Sequence, residues 1–186
     1  MAETSNSRSL LEQAAVLVSR FAGVPALLVL GILTASFPLV LFPACGTGDF
    51  VPLDLHFSYI PELVSEYLAG LGAEGRRSYR CMLLIPDMVF PVVYAAALSV
   101  LLVLVLCRYL SPARGYLCLF PFLIVIADWG ENLFLAAVLA AYPESLDGVV
   151  RIASMFTSLK WVLVALILLV LLSALLVRLA KSARTG

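Results

Sequence analysis

The stretch Phe122–Tyr142, FLIVIADWGENLFLAAVLAAY, is apolar almost throughout, yet Asp128, Glu131 and Asn132 sit in its middle. About 20 apolar residues in a helix rise roughly 30 Å, the thickness of a bilayer's hydrocarbon core. The run therefore has the length of a membrane-spanning helix. Its three polar residues are spaced i, i+3 and i+4, which puts them on one helical face. An acid at the centre of a spanning helix costs roughly 2.5–3.5 kcal/mol on insertion scales, so that face must turn away from lipid.

The rest of the chain agrees. Of its 186 residues 63% are apolar and 13% charged, and the mean hydropathy is +1.07. Those values lie outside the range of a water-soluble domain. Three further apolar runs match the first in length, and lipid admits only helices or closed barrels. Period-2 alternation is missing, so the fold class is all-α: a four-helix transmembrane bundle with an extracytoplasmic amphipathic helix between spans 1 and 2. It forms a single membrane domain over 1–186, with spans near 21–44, 82–107, 116–142 and 157–177 and an outer loop over 46–80. The first run, with Pro25, Pro38 and Pro43, is longer than a signal-peptide core and has no small-residue cleavage site after it. It reads as a span.

Twelve basic and twelve acidic residues balance to zero net charge, so no basic field exists to draw nucleic acid. Cys45, Cys81, Cys107 and Cys118 lack C-x-x-C spacing, and His56 is the only histidine. Neither a metal site nor a dithiol active site is expected, and no cofactor. His56 is flanked by Asp54 and Ser58, but adjacency in sequence does not make a hydrolytic triad.

Orientation follows from the basic residues at the span ends. Arg8, Arg20, Arg108, Arg114, Arg178, Lys181 and Arg184 share the side of the termini; Arg76, Arg77, Arg80, Arg151 and Lys160 lie on the other. The acids reinforce the bias, with Glu3 and Glu12 opposite Asp49, Asp54, Glu62, Glu66, Glu74, Glu144 and Asp147. Both termini are expected in the cytoplasm. Cys45 and Cys81 then lie toward the exterior, where they alone could pair in an oxidising compartment, and Cys107 and Cys118 lie toward the interior.

Within the outer loop, YIPELVSEYLAGLG has Pro61 suited to a first helical position and Gly70 and Gly72 as stop signals. Ile60, Leu63, Val64, Tyr67, Leu68 and Leu71 fall on one face, and Glu62 and Glu66 on the other. Such a helix ordinarily anchors at the membrane surface, and less often covers a bundle as a lid.

The charged positions in the spans all fall in the outer half. Asp87, Pro91 and Tyr94 line one face of the second span, and Lys160 with Ser154, Thr157, Ser158 and Trp161 occupies the outer part of the fourth. Gly130 lets a neighbouring helix approach Asp128 and Glu131. Asp87, Asp128 and Glu131 then meet one ammonium, Lys160, with Arg80 and Arg151 as rim helpers. The charges do not balance, so a proton, a cation or a cationic ligand must make up the difference. A purely structural reading makes these residues a hydrogen-bonded girder between helices. A functional reading makes them an outward-facing acidic cavity.

The segments LDLHFSYIPELVSEYLAGLGAEGRRSYR, LIPDMVFPVVYA, IADWGENLFL and ASMFTSLKW together resemble a family of uncharacterised small four-span membrane proteins with a D-x-x-E-N third helix and a K-W fourth helix. Asp87, Tyr94, Asp128, Glu131, Asn132, Lys160 and Trp161 match that pattern over roughly residues 50–165. Gly130 departs from it, standing where a bulkier residue is expected. A looser similarity, of architecture alone, is to the emopamil-binding and sigma-2 type of four-helix protein, whose membrane cavity presents acids to an apolar amine or sterol.

Three functions are compatible with these residues. The first is binding of a small apolar, lipid-like or cationic ligand by Asp87, Tyr94, Asp128, Glu131, Asn132, Lys160 and Trp161, with membrane lipid as the surrounding partner. The second is acid–base catalysis on a lipid-phase substrate, with Asp128 or Glu131 as the catalytic carboxyl. Proton or cation transfer is the third, weakened because the inner halves of the spans carry no charged residues.

Overall fold

The computed structural model describes residues 10–46, 50–106 and 112–185. Its helices are α1 (Leu10–Phe21), α2 (Val24–Ser36), α3 (Phe42–Ala44), α4 (Pro61–Gly70), α5 (Gly72–Leu84), α6 (Pro86–Val105), α7 (Phe122–Ala141) and α8 (Asp147–Thr185), with no strand among the described residues. Four continuous helical stretches, Val24–Ala44, Gly72–Val105, Tyr116–Ala141 and Asp147–Lys181, are long and apolar enough to cross a membrane. Leu28, Ile32, Ile126, Leu133, Leu169 and Leu176 point outward and are exposed around them. An apolar exterior of this extent belongs in lipid. The chain is an all-α membrane protein, as its composition requires.

Prolines shape the first two spans. Pro25 opens α2, where its missing N–H is one the helix leaves unbonded anyway. Pro38 lies in a π-helical turn, Phe37–Leu41, that links α2 to α3 and closes with Phe42 N–H donating to Phe37 O. The wider turn accommodates a residue that cannot donate within the ladder. It aims Phe37 and Phe42 at Phe90 of α6, with ring centroids 5.2 and 5.4 Å away, and Phe90 in turn packs on Tyr94 at 5.0 Å. In the second span the break falls at Ile85 (φ −117°, ψ −82°), driven out of helical geometry by Pro86 behind it.

Two helical extensions lie outside the apolar runs. α5 starts at Gly72, ten residues before the expected second span, and α8 starts ten residues before the fourth. Helices continue past the hydrocarbon wherever polar side chains can clothe them, which apolar run length does not register. At the other end α1, unanticipated from sequence, precedes the first span. Its Ala15 is buried against Val103 and Cys118, while Leu10, Leu17 and Phe21 remain exposed, the pattern of an interfacial helix.

α4 is the amphipathic helix expected in the loop, beginning at Pro61 and ended by Gly72 in a left-handed conformation (φ +64°). Its Val64 and Leu68 do not merely rest on a surface. They enter a core cluster with Leu53, Tyr59, Tyr79, Met82, Leu135 and Val150, so α4 covers the loop end of the bundle. Arg76 fastens this cap, donating to Leu68 O at 2.8 Å and lying 3.9 Å over the Tyr142 ring. Ile60 and Leu63 of the expected apolar face stay exposed.

Glu3, Arg8, Asp49, Cys107 and Arg108 lie outside the described residues, as do the side chains of Arg114 and Arg184.

Candidate functional site

The polar residues of α6, α7 and α8 meet beneath the loop end. Asp128, Glu131 and Asn132 are at most 3% exposed and Lys160 is 6% exposed, so the acids turn inward as their insertion cost demands. Lys160 Nζ lies 2.7 Å from Glu131 Oε2, 3.0 Å from Asp128 Oδ1 and 3.7 Å from Asp54 Oδ2. Tyr94 donates to Asp128 Oδ2 at 2.9 Å, and Thr157 donates to Glu131 Oε1 at 2.6 Å. Both oxygens of Asp128 and of Glu131 are thus occupied. This rigid centre is built on helices, with its partners one to two turns apart along each.

Gly130 makes the approach of α8 feasible. A Cβ at this position would come within 2.7 Å of the Phe156 ring, which itself stacks on Phe134 at 5.7 Å. The room left by the missing side chain is filled by Phe156, and α7 and α8 close tightly around Lys160.

Asn132 has a second role, set by a proline on another helix. Pro91 has no N–H, so the carbonyl four residues earlier, that of Asp87, loses its helical donor. Asn132 Nδ2 supplies the replacement at 3.1 Å. Trp129 Nε1 donates likewise to Met88 O at 2.8 Å. Asp87, 2% exposed, joins the cluster through this backbone contact and is near enough to Asp54, Asp128 and Lys160 to sense their charges.

The spans do not complete the site; the loop does. Leu53 to Tyr59 crosses over α8 and is fastened to it by polar links beside the apolar packing of Leu53 and Tyr59. Trp161 Nε1 donates to Asp54 O at 3.0 Å, Ser158 to Phe57 O at 2.9 Å, and Tyr59 N–H to Ser154 Oγ at 2.9 Å. Tyr79 Oη takes the Leu53 N–H at 3.1 Å. The loop delivers the Asp54 carboxylate to Lys160 and the Tyr59 hydroxyl to Glu131 Oε1 at 3.3 Å. Burial and the adjacent Glu131 push the Tyr59 phenol well above its ordinary value, which keeps it a neutral donor.

Of the residues expected from sequence, Tyr94, Asp128, Glu131 and Lys160 are in direct contact, and Asn132 and Asp87 adjoin them. Trp161 stands at the rim and holds the loop instead of facing the carboxylates. Arg80 and Arg151 are exposed and take no part. Asp54 and Tyr59 were not anticipated as site residues, and Thr157 was placed only in the boundary region. One signal for the loop's position was present: Ser154, Thr157, Ser158 and Trp161 share a face of α8 at i, i+3, i+4 and i+7, a polar stripe that needs a polar neighbour. His56 is exposed, in keeping with a solvated histidine.

Three carboxylates, those of Asp54, Asp128 and Glu131, therefore contact one ammonium, and a fourth, that of Asp87, adjoins them. Asp54 Oδ1, Asp87 Oδ2 and Asn132 Oδ1 are buried acceptors without a protein donor. The arrangement suits a positively charged or proton-bearing group better than an anion. No protein-family model, curated protein or solved structure matches the chain.

Proposed function

We propose that this membrane protein binds an amine-bearing, lipid-like small molecule at the acid cluster, beneath a loop lid formed by residues 53–60. The supporting observation is the surplus of acceptors: four buried or half-buried carboxylates against one ammonium, with three buried oxygens lacking donors. An ammonium headgroup brings both the charge and the N–H donors that these oxygens lack, and an apolar tail would remain in lipid beside the bundle. Asp54 and Asp87 are the proposed ligand contacts; Asp128 and Glu131, already held by Lys160, Tyr94 and Thr157, set the field. Lid opening means breaking the backbone hydrogen bonds to Ser154, Ser158 and Trp161, the Tyr59 hydroxyl contacts with Glu131 and Thr157, and the Asp54 pairing with Lys160.

Dodecylamine is expected to bind the purified protein more tightly than dodecanol of the same chain length, read by native mass spectrometry or thermal shift. Asp54→Asn and Asp87→Asn should each reduce amine binding by roughly tenfold, the effect of one lost charge-assisted contact, while leaving dodecanol unaffected. Equal binding of amine and alcohol, or amine binding indifferent to both substitutions, would refute the proposal.

A second reading is favoured by the full occupancy of the Asp128 and Glu131 oxygens, which suits a girder tying the loop, α6, α7 and α8 together. Under it the same substitutions lower the melting temperature and change no binding. Acid–base catalysis by Asp128 or Glu131 is the less supported alternative, because it needs a carboxyl oxygen open to substrate.

On the charge bias of the loops both termini are cytoplasmic and the lid faces the exterior. In a cysteine-free background, Glu66→Cys is expected to react with an impermeant maleimide on intact cells, and Glu12→Cys only after permeabilisation. The opposite pattern would invert the topology.

A further inference from the structure

Cys45 directly follows the first span and Cys81 lies on α5, yet the Cys81 thiol donates to Cys45 Sγ at 3.0 Å. Two features bring them together. Gly46 turns the chain out of α3 in a left-handed conformation (φ +80°), with its N–H bonded to Pro43 O at 2.8 Å. A Cβ on Gly46 would stand 2.9 Å from Ser78 Oγ, one helical turn before Cys81, so glycine suits both the left-handed turn and this approach of backbone to α5. The register of Cys45 against Cys81 is thus set by packing independent of the thiols themselves. Both cysteines are part-exposed in a groove of about 590 Å³ lined also by Ser78, Glu74 and Arg77, the last two of which are charged and mark it as the water-facing side.

We infer that Cys45 and Cys81 form an oxidation site, closed to a disulfide by exchange with a small water-soluble disulfide such as oxidised glutathione. A disulfide needs about 2.05 Å between sulfurs, so closure requires a shift of about 1 Å from the present thiol contact. In the first step one thiol gives up its proton and attacks a sulfur of glutathione disulfide, forming a protein–glutathione mixed disulfide and releasing one glutathione thiol. In the second the remaining thiol, likewise deprotonated, attacks the protein sulfur of that mixed disulfide and releases the second glutathione. The two protein thiols are oxidised and one glutathione disulfide is reduced to two thiols. Burial and the neighbouring Cys81 push the Cys45 thiol up to about 11, which suits Cys45 to the second, resolving step.

The bond would close a ring from residue 45 to residue 81. That ring contains Asp54 and Tyr59, the loop's contributions to the acid cluster, so oxidation limits how far the 50–60 segment can depart from the bundle. The inference stands on the cysteine geometry and does not require that the cluster bind an amine.

The test is to treat reduced, detergent-purified protein with oxidised glutathione and map the products by intact and peptide mass spectrometry. The expected product has lost two hydrogen atoms and contains a Cys45–Cys81 cross-linked peptide. Cys45→Ser is expected to stop at a mixed disulfide on Cys81, and Cys81→Ser to react more slowly. Proteolysis within 50–60 should slow by roughly tenfold in the cross-linked form, and this difference should vanish in both variants. Wild-type protein in which both thiols carry glutathione, or in which both remain alkylatable, would overturn the inference; so would a cross-link that left proteolysis unchanged, by removing its stated effect on the loop.

Discussion

Lys160→Met is expected to destabilise the protein by about 3–5 kcal/mol, the usual consequence of stripping one partner from a buried ion pair. Lys160 is 6% exposed and its ammonium is the only positive charge in contact with Glu131 at 2.7 Å, Asp128 at 3.0 Å and Asp54 at 3.7 Å among the described residues. Methionine fills nearly the same volume, so the loss is electrostatic and little of it is packing. Without the ammonium the acids must take up protons or draw in water, and the loop loses the charge that holds Asp54. The triple variant Lys160→Met, Asp128→Asn, Glu131→Gln should recover most of the loss, because neutral amides need no counter-charge. Thermal unfolding in detergent measures both. If Lys160→Met alone melts within a few degrees of wild type, the carboxylates are not ionised around that ammonium and the cluster has been misread.

Asn132→Leu is expected to cost about 1–3 kcal/mol, the penalty for a buried carbonyl deprived of its donor. The carbonyl is that of Asp87, orphaned by Pro91 and reached by Asn132 Nδ2 at 3.1 Å. This origin makes the effect reversible by a change on a different helix. Pro91→Ala restores an N–H at the position from which a helix serves Asp87 O, so Asn132→Leu should be much less costly in that background. A double-mutant cycle by thermal unfolding gives the coupling. Strictly additive effects would mean that Asn132 is retained for some purpose other than mending the helix ladder.

The same pair illustrates how unevenly the site could be read from the chain. Asp128, Glu131 and Asn132 were recognisable because their i, i+3, i+4 spacing puts them on one face of an apolar helix, where lipid exposure is prohibitive. Tyr94 and Lys160 followed from depth, since each lies in the outer part of its span. Gly130 signalled a close helix contact, and Phe156 takes that space. Asn132, by contrast, looked like a ligand contact. Its backbone partner is seen only when α6 and α7 are side by side.

Asp54 and Tyr59 are the larger omission, and the reason lies in chain separation. Tyr59 meets Glu131 across 72 residues and Thr157 across 98. No local periodicity encodes a contact of that range. Arg80 and Arg151 erred in the opposite sense: their sequence neighbourhoods suggested rim helpers, but helix rotation leaves both exposed.

By itself the sequence determined what the solvent enforces residue by residue. Hydrocarbon requires long apolar helices and forces intramembrane acids inward, so the membrane class, the all-α bundle and the inward faces of α6, α7 and α8 follow from the chain alone. Tertiary structure alone decided which groups those faces meet, because the crossing of the 53–59 loop over α8, the Gly46 turn against α5 and the repair of Asp87 O by Asn132 depend on helix rotation and on contacts between distant segments. Burial is priced locally; partnership is a property of the packed whole.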